Sequence, residues 1–439
     1  MRRITFLLLL MALCYSSNTE AQFLKKLTKK LEQKLDKTTK SLEDKADEQV
    51  DKILGLDESD SIPSIDASGM EMDEIGAGEM DYPGENTESY GETGFEAYSK
   101  YDFVPGTNLV AFEDFSEDPV GDLPQKWNTN SSAEVVTLST LPGKWLRIGN
   151  GWGTYVFEGI PQDLPEDFTL EFDMLYDFDA DTYAFKRYVN VVLSELENPN
   201  MYMDKFSYGK EVTTISLSNS ASARGVVLDK KTAQKGMNVS GSNNHPAFSK
   251  TGKSGIPYHI AILKKGSRIK VYVDQDKVLD IPRGADDNLN YRTLRFESSV
   301  SPKNEYFYLG NVRFATGVDS GERLFKNGTH TAYGITFDSG SASIQPASYA
   351  SLKQIAQAIQ SDANGNYLIT GHTDSDGDAS LNMPLSESRA EAVKEALVSE
   401  FGIDGSRLQT AGKGSSEPVS TESSATAKAL NRRVTISKL

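Results

Sequence analysis

The amino-acid sequence predicts a multidomain protein in which an all-β sandwich is followed by an α/β sandwich, with an amphipathic helix and a disordered acidic linker before both. Apolar and polar residues alternate along short segments of residues 107–316, which is typical of strands. Segments with strand and helix patterns then alternate over residues 317–439. Residues 22–106 contain a helical repeat of leucines and then a run of acidic residues, and neither continues into the later segments.

Residues 1–21 have the composition of a secretory signal peptide. Arg2 and Arg3 precede an apolar run from Ile4 to Leu13, which is too short to span a bilayer. Small and polar residues follow, so we expect cleavage after Ala21. The alternative is a lipoprotein signal lipidated at Cys14, although Leu13 stands where a small residue is usual.

Residues 22–55 are predicted to form one charged, amphipathic helix. Their apolar residues recur at three- and four-residue steps, and Gly55 supplies a stop. Three interpretations stay open: a coiled-coil helix that makes a homo-oligomer through residues 23–55, a solvated helix without a partner, and a helix lying on a membrane or against an envelope protein.

Residues 56–106 are predicted to be a disordered acidic linker. They hold fourteen Asp or Glu and one basic residue, Lys100, and so carry thirteen of the seventeen net negative charges of the chain. The overall charge of −17 argues against nucleic acid as a partner, but this excess belongs to the linker and does not describe the surface of a folded domain.

Residues 107–316 are predicted to be all-β. Phe168, Leu170, Phe172 and Met174 alternate with polar residues, so one face of this strand should be apolar and the other should face water. Further strands are predicted at residues 260–262, 269–273, 278–281, 294–296 and 306–314. Many short strands with polar turns indicate a sandwich or a barrel.

This region resembles the concanavalin A-like, or laminin G-like, jelly-roll family. The residues that carry the resemblance are FEDFSEDPVGDLPQKW near the start, the hairpins in IAILKKGSRIKVYVDQDKVLDI, and the closing YLGNVRF. The resemblance implies an all-β jelly-roll sandwich. A membrane β-barrel is the alternative, although the strands look short and the loops long for one.

Residues 317–439 are predicted to be an α/β sandwich with helices on one face of a small sheet. Strands are expected at residues 334–337, 367–371, 407–411 and 433–437. One helix should open at Pro346, since proline is tolerated in a first turn. Another should be capped by Ser386, run through Leu397 and end before Gly402.

The stretch GHTDSDGDASLNMPLSESRAEAVKEAL resembles the OmpA-like peptidoglycan-binding domain. The family pattern is a strand ending in G-H-T-D, then a glycine, an Asn, and L-S-x-x-R-A, followed later by G-x-G, a proline and N-R-R-V. The matching residues are Gly371, His372, Thr373, Asp374, Gly377, Asn382, Leu385, Ser386, Arg389, Ala390, Gly412, Gly414, Pro418, Asn431, Arg432, Arg433 and Val434. The resemblance covers nearly all of residues 331–438.

The resemblance implies that Asp374 and Arg389 bind the diaminopimelate of a peptidoglycan stem peptide. The chemistry fits, because Asp374 is expected just past a strand end and Arg389 in the first turn of the next helix. An acid and an arginine held apart suit a zwitterion, with the carboxylate bound by Arg389 and the ammonium by Asp374. The alternative is that Asp374 and Arg389 pair with each other.

Three further residues are predicted to support the binding site. Thr373 and Asn382 are expected to make polar contacts, although either could instead cap backbone groups. Arg432 could reach the glycan, although the N-R-R segment is more often structural in this family. Lys413, Ser415 and Ser416 depart from the family pattern, which puts auxiliary contacts in doubt.

No enzyme constellation emerges from the sequence, and no cofactor or metal site is predicted. Glu171 and Asp173 form an E-x-D, but a second Glu that a retaining glycosidase of this fold needs is absent, so both are expected on the wet face of their strand. Gly252-Lys253-Ser254 lacks the earlier glycine of a phosphate loop, and the histidines have no metal-ligand spacing. Calcium is disfavoured because Ala379 and Leu385 occupy loop positions that need Gly and Glu.

The sequence therefore predicts a non-catalytic, exported protein of the periplasm or the periplasmic face of the outer membrane, which tethers the cell envelope to peptidoglycan. The middle region could hold an envelope protein. The alternative is a lectin-like protein, in which residues 107–316 bind a glycan and the last domain only localises it; Trp127, Trp145 and Trp152 are candidate platforms but are expected in the core.

Overall fold

The computed structural model describes residues 101–149, 151–201, 211–221, 223–232, 238–286, 291–301, 304–318, 324–325 and 328–439. The predicted signal peptide, the amphipathic helix and residues 56–100 of the predicted linker lie outside this part of the chain. No helix among the described residues is long and apolar enough to cross a membrane.

The first part of the described chain is built from antiparallel strands, as predicted for the middle region. The strands are β1 Asn108–Glu113, β2 Trp127–Thr129, β3 Ala133–Thr137, β4 Lys144–Gly149, β5 Gly151–Phe157, β6 Phe168–Tyr176, β7 Lys186–Ser194, β8 Val212–Ser220, β9 Ala223–Lys231, β10 Val239–Asn243, β11 Tyr258–Lys265, β12 Arg268–Val273, β13 Asp276–Ile281, β14 Thr293–Ser301 and β15 Tyr306–Thr316.

These strands form two sheets that share one apolar core. The first sheet has the order β13-β12-β11-β6-β15-β4-β3, with β1 also paired to β15. The second has the order β10-β9-β8-β7-β14-β5-β2. Alternate residues of β6 (Phe168, Leu170, Phe172) are fully buried against residues of the other sheet, such as Val191 and Phe296. The middle region is therefore mostly β-sheet, and its assignment to the jelly-roll family stays a prediction.

The outer face of β6 differs from the sequence prediction, because Glu171 is buried rather than wet. Its side chain Oε1 lies 2.6 Å from Nη1 of Arg313, and its Oε2 lies 3.5 Å from Nε2 of His259. The other ring nitrogen of His259, Nδ1, lies 2.8 Å from Oδ1 of Asp173. Burial alone would lower the pKa of His259, but the hydrogen bonds to Asp173 and Glu171 raise it to about 10.

Residues 101–106, the end of the predicted linker, help to cover this face. The rings of Tyr101 and Phe103 pack against Tyr272 of β12, with ring centroids 5.6 and 5.4 Å away. The backbone N–H of Gly106 donates to the hydroxyl of Thr169 on β6 at 3.0 Å. The alternation of apolar and polar residues in β6 was therefore predicted correctly. The polar face of β6 is nevertheless covered by residues 101–106, which precede the sandwich in sequence.

The C-terminal part combines a small sheet with helices. It contains β16 Thr329–Ala332, α1 Tyr349–Ser361, β17 Tyr367–Gly371, α2 Ala379–Ser399, β18 Leu408–Gly412, α3 Ala425–Asn431 and β19 Val434–Lys438. The sheet order is β16-β19-β17-β18, in which only β17 and β18 are parallel. Leu352 and Ile355 of α1 and Val393 of α2 share one core with Ile369 and Ile436 of the sheet.

Two boundaries in this part were predicted wrongly. The strand expected at residues 334–337 is instead β16, whose Thr329–Ala332 pair with β19, and only Phe337 makes an isolated bridge, to Ile344. The second helix begins at Ala379 rather than at Ser386, because the carboxylate of Asp378 accepts the N–H of Ser380 at 2.8 Å and caps the helix there.

We expect Glu171→Gln to lower the free energy of unfolding by about 3 kcal/mol, because it leaves the buried charge of Arg313 without its anion and leaves His259 with Asp173 alone. Denaturant titration of the full chain measures the change. Asp280→Asn is the control, since Asp280 pairs with the half-exposed Arg268 and its loss should cost less than about 1 kcal/mol. Equal losses in the two variants would contradict the burial of a necessary anion at Glu171.

Candidate functional site

The candidate site begins where the central strand β17 ends. A Cβ on Gly371, the last residue of β17, would lie 2.0 Å from the backbone oxygen of Ser386 in α2. Only glycine therefore allows helix α2 to lie this close to the strand end. His372, Thr373 and Asp374 follow directly, so the chain leaves the strand beside the helix.

Asp374 is almost fully buried and both of its carboxylate oxygens have partners. Oδ1 accepts the backbone N–H of Asp376 at 3.0 Å, and Oδ2 lies 2.7 Å from Nη1 of Arg432. Arg432, rather than Arg389, is thus the ion-pair partner of Asp374. The predicted alternative, a direct pair between Asp374 and Arg389, is not what the structure has.

Arg389 lies in the interior of α2 and not in its first turn, because the helix begins ten residues earlier than Arg389, at Ala379. Its Nε donates to the backbone oxygen of Ser341 at 2.9 Å. Its guanidinium carbon lies 4.9 Å from the centroid of the Phe337 ring, within cation–π range. Burial lowers the pKa of Arg389, and the nearby charge of Asp374 opposes that shift.

Thr373 and Asn382 hold the backbone around Asp374. The N–H of Thr373 donates to the carbonyl of Gly414 at 2.9 Å, and its hydroxyl donates to the carbonyl of Asp374 at 2.9 Å. The amide of Asn382 donates to the carbonyl of Asp376 at 2.9 Å. Both side chains are buried. They therefore bond to backbone groups, which is the second of the two roles that the sequence left open.

The N-R-R segment splits into structural residues and one site residue. The side chain of Asn431 accepts the N–H of Val419 at 2.8 Å and donates to the carbonyl of Ser420 at 2.8 Å. Arg433 donates to the carbonyl of Glu417 at 2.9 Å. Arg432 reaches Asp374, and its other terminal nitrogen lies 3.8 Å from Oδ2 of Asp114 in the β-sandwich.

Sequence reasoning missed the contacts of Ser341, Phe337 and Asp114 with the two arginines. Phe337 is the last residue of the predicted strand, and Ser341 follows the turn after it. Asp114 belongs to the other domain. No local pattern marks these residues. Across the described residues, no cluster of three or more His, Cys, Asp or Glu is arranged to hold a metal ion.

The histidine of the G-H-T-D motif is buried beside the site. Burial lowers the pKa of His372 to about 4, and the nearby charge of Arg433 contributes in the same direction. His372 is therefore neutral at pH 7. Asp374, Arg389 and Arg432 could together receive a ligand that carries both an anion and a cation.

Residues 336–432 match the OmpA family. The chain is 39% identical over 124 residues to "Probable lipoprotein YiaD" of Escherichia coli, covering 28% of this chain and 55% of that protein. It is 35% identical over 102 residues to "Peptidoglycan-binding protein ArfA" of Mycobacterium tuberculosis, covering 23% of this chain and 31% of that protein. The chain thus covers less than two thirds of either curated relative.

Among solved structures, the chain is similar to the crystal structure of the peptidoglycan-associated lipoprotein from Burkholderia pseudomallei. The identity is 29% and the TM-score is 0.24, with 28% of this chain and 98% of that chain covered.

We expect the stability that His372 contributes to fall as the pH decreases. The folded pKa, about 4, lies below the unfolded value of 6.5, so this contribution is complete above pH 6.5 and is lost progressively towards pH 4. The difference in unfolding free energy between wild type and His372→Gln should therefore shrink by up to about 3 kcal/mol over this range. Denaturant titrations at several pH values measure it, and a difference that stays constant would show that folding does not lower the pKa of His372.

Proposed function

We propose, on the premise that residues 336–432 are an OmpA-family domain, that this chain is a non-catalytic envelope protein which binds peptidoglycan and tethers the envelope to the wall. The observation that carries the proposal is that the G-H-T-D and R-A motifs place Asp374 and the half-buried Arg389 close enough for their charges to interact. The names of ArfA and of the Burkholderia lipoprotein support this ligand. The periplasm, or the periplasmic face of the outer membrane, is the corresponding location.

The ligand group that best suits Asp374 and Arg389 is the side chain of diaminopimelate. Within the described part of the chain, Arg389 uses Nε for its hydrogen bond to Ser341, so its two terminal nitrogens can bind a carboxylate in a bidentate way. Asp374 would accept the ammonium through Oδ2, in competition with Arg432. Thr373 and Asn382 act as positioning residues, since they hold the backbone on both sides of Asp374.

We expect Asp374→Asn and Arg389→Gln each to weaken binding at least tenfold, because each removes one charge-assisted contact to the zwitterion. Calorimetric titration of a soluble, diaminopimelate-containing stem peptide into the full chain measures the affinity, and a pull-down on purified sacculi provides the corresponding assay on intact wall. Glu395→Gln is the matched control, because Glu395 is an exposed acid on the same helix.

A second ligand separates the roles of the two residues. A stem peptide with lysine in place of diaminopimelate keeps the ammonium but lacks the second carboxylate. It should bind more weakly than the diaminopimelate peptide, respond to Asp374→Asn, and be nearly insensitive to Arg389→Gln. Retention of both variants on sacculi at the wild-type level would refute the site.

A second candidate function, lectin-like glycan binding by the β-sandwich, is favoured by one loop. Tyr183 and Phe185 are 77% and 63% exposed, whereas Ala184 between them is buried. The loop is anchored from below, since Arg187 donates to the carbonyls of Asp179 and Thr182 at 3.1 Å. A fixed loop that presents two aromatic rings to solvent suits stacking on the apolar face of a sugar ring.

If the loop binds a glycan, a glycan array probed with the full chain should give signals that Tyr183→Ala and Phe185→Ala both abolish and that Asp374→Asn leaves intact. Val120→Ala is the control for the loss of an exposed apolar side chain elsewhere on the same domain. An array without any signal from the wild type would remove this candidate and leave the sandwich as a spacer or a protein-binding module.

A further inference from the structure

The β-sandwich reaches the candidate site through its first strand. Within the described residues, β1 pairs only with β15, so its other edge presents unpaired backbone groups. Helix α3 covers this edge, because the hydroxyl of Thr426 accepts the N–H of Phe112 at 3.0 Å and donates to the carbonyl of Phe112 at 3.1 Å. Arg432 follows the last residue of α3 directly. The contact with β1 thus fixes the position from which the side chain of Arg432 extends.

Arg432 lies between two carboxylates from different domains. Its Nη1 is 2.7 Å from Oδ2 of Asp374, whereas its Nη2 is 3.8 Å from Oδ2 of Asp114. Its guanidinium carbon also lies 5.6 Å from the ring centroid of Phe112, within cation–π range. The side chain of Asp114 is 23% exposed and that of Arg432 is 34% exposed. Asp114 is therefore a second, partly shielded anion within a short movement of the arginine.

A ligand ammonium that approaches Asp374 meets cations already in place. Oδ1 of Asp374 already accepts the N–H of Asp376, and Oδ2 already pairs with Arg432. Arg389 also lies near enough for its charge to interact with that of Asp374. The ammonium must therefore either share Oδ2 of Asp374 with Arg432 or displace Arg432 from it. Because like charges repel strongly in a partly buried site, displacement is unfavourable unless another anion stabilises the arginine.

We propose that Asp114 is this anion, and that the β-sandwich is therefore part of the peptidoglycan-binding unit. The inference rests on the proposed function. When the ammonium binds Oδ2 of Asp374, Arg432 shifts from Asp374 to Asp114, and the site keeps two acids for its two arginines. Asp114 is a positioning residue, since it acts on the ligand through Arg432. By linkage, ligand binding also strengthens the contact between β1 and the C-terminal domain.

The test is Asp114→Asn in the full chain, titrated with the soluble diaminopimelate-containing stem peptide. Asparagine keeps an Oδ1 that can accept the N–H of Ser116, a bond of 3.0 Å, and removes only the charge. We expect the dissociation constant to rise about fivefold, in the usual range of coupling between sites. Glu117→Gln is the matched control, because Glu117 lies three residues away and pairs with Lys126 at 3.3 Å rather than with Arg432. It should leave the affinity unchanged.

Arg432→Gln provides the second half of a double-mutant cycle. In this background Asp114→Asn should have no further effect, because the residue through which Asp114 acts is gone. An equal loss of affinity in both backgrounds, or no loss in either, overturns the inference. If Asp114→Asn does not fold, Asp114→Ser replaces it, since serine also offers an acceptor to Ser116.

The outcomes also separate this inference from the function on which it rests. If Asp374→Asn binds the peptide as tightly as wild type, the proposed function itself fails. If Asp374→Asn weakens binding and Asp114→Asn does not, the peptidoglycan site stands, and the sandwich has no part in it.

Discussion

The close approach of helix α2 to strands β17 and β18 is the constraint on which the candidate site depends. Cβ atoms on Gly371 and Gly412 would lie 2.0 Å from the oxygen of Ser386 and 2.7 Å from the nitrogen of Glu387. The hydroxyl of Ser386 uses the resulting proximity to accept the N–H of Gly414 at 2.8 Å. Two absent side chains thus allow the helix that carries Arg389 to lie beside the strand that delivers Asp374.

Much of the fold follows from local pattern. Strand β17 occupies the residues predicted for it, 367–371, and the alternation along β6 correctly identified its core-facing side chains. Gly402 has a φ of +68° after the end of α2, as a C-terminal glycine should. The start of α2 was predicted wrongly because serine is a common N-cap residue, whereas the residue that caps this helix is Asp378. Residue type alone does not distinguish between Asp378 and Ser386 as the N-cap, because both types cap helices and both residues precede apolar helical positions.

The sequence could not predict the contacts between segments that lie far apart along the chain. Glu171 reads as a solvent-facing residue, whereas residues 101–106, more than sixty positions before it, help to turn that face into an interior. Likewise, the family motif identifies Asp374 and Arg389, but Arg432 lies 58 residues from Asp374, and Asp114 lies in another domain. Charge at this site is balanced by residues that no local window contains.

Residues 101–106 are the first described residues that a pulling force on the N-terminal side of the chain would act on. Tyr101 and Phe103 share a cluster with Tyr272 of the sandwich and Ala350 of helix α1, and Asp102 accepts a hydrogen bond from the hydroxyl of Tyr272 at 2.7 Å. A pulling force applied to the chain at Tyr101 would load these contacts before it loads strand β1. Release of these six residues would lengthen the chain by at most about 20 Å while both sheets stay intact. Under such a force, residues 101–106 would detach before the strands behind them separate.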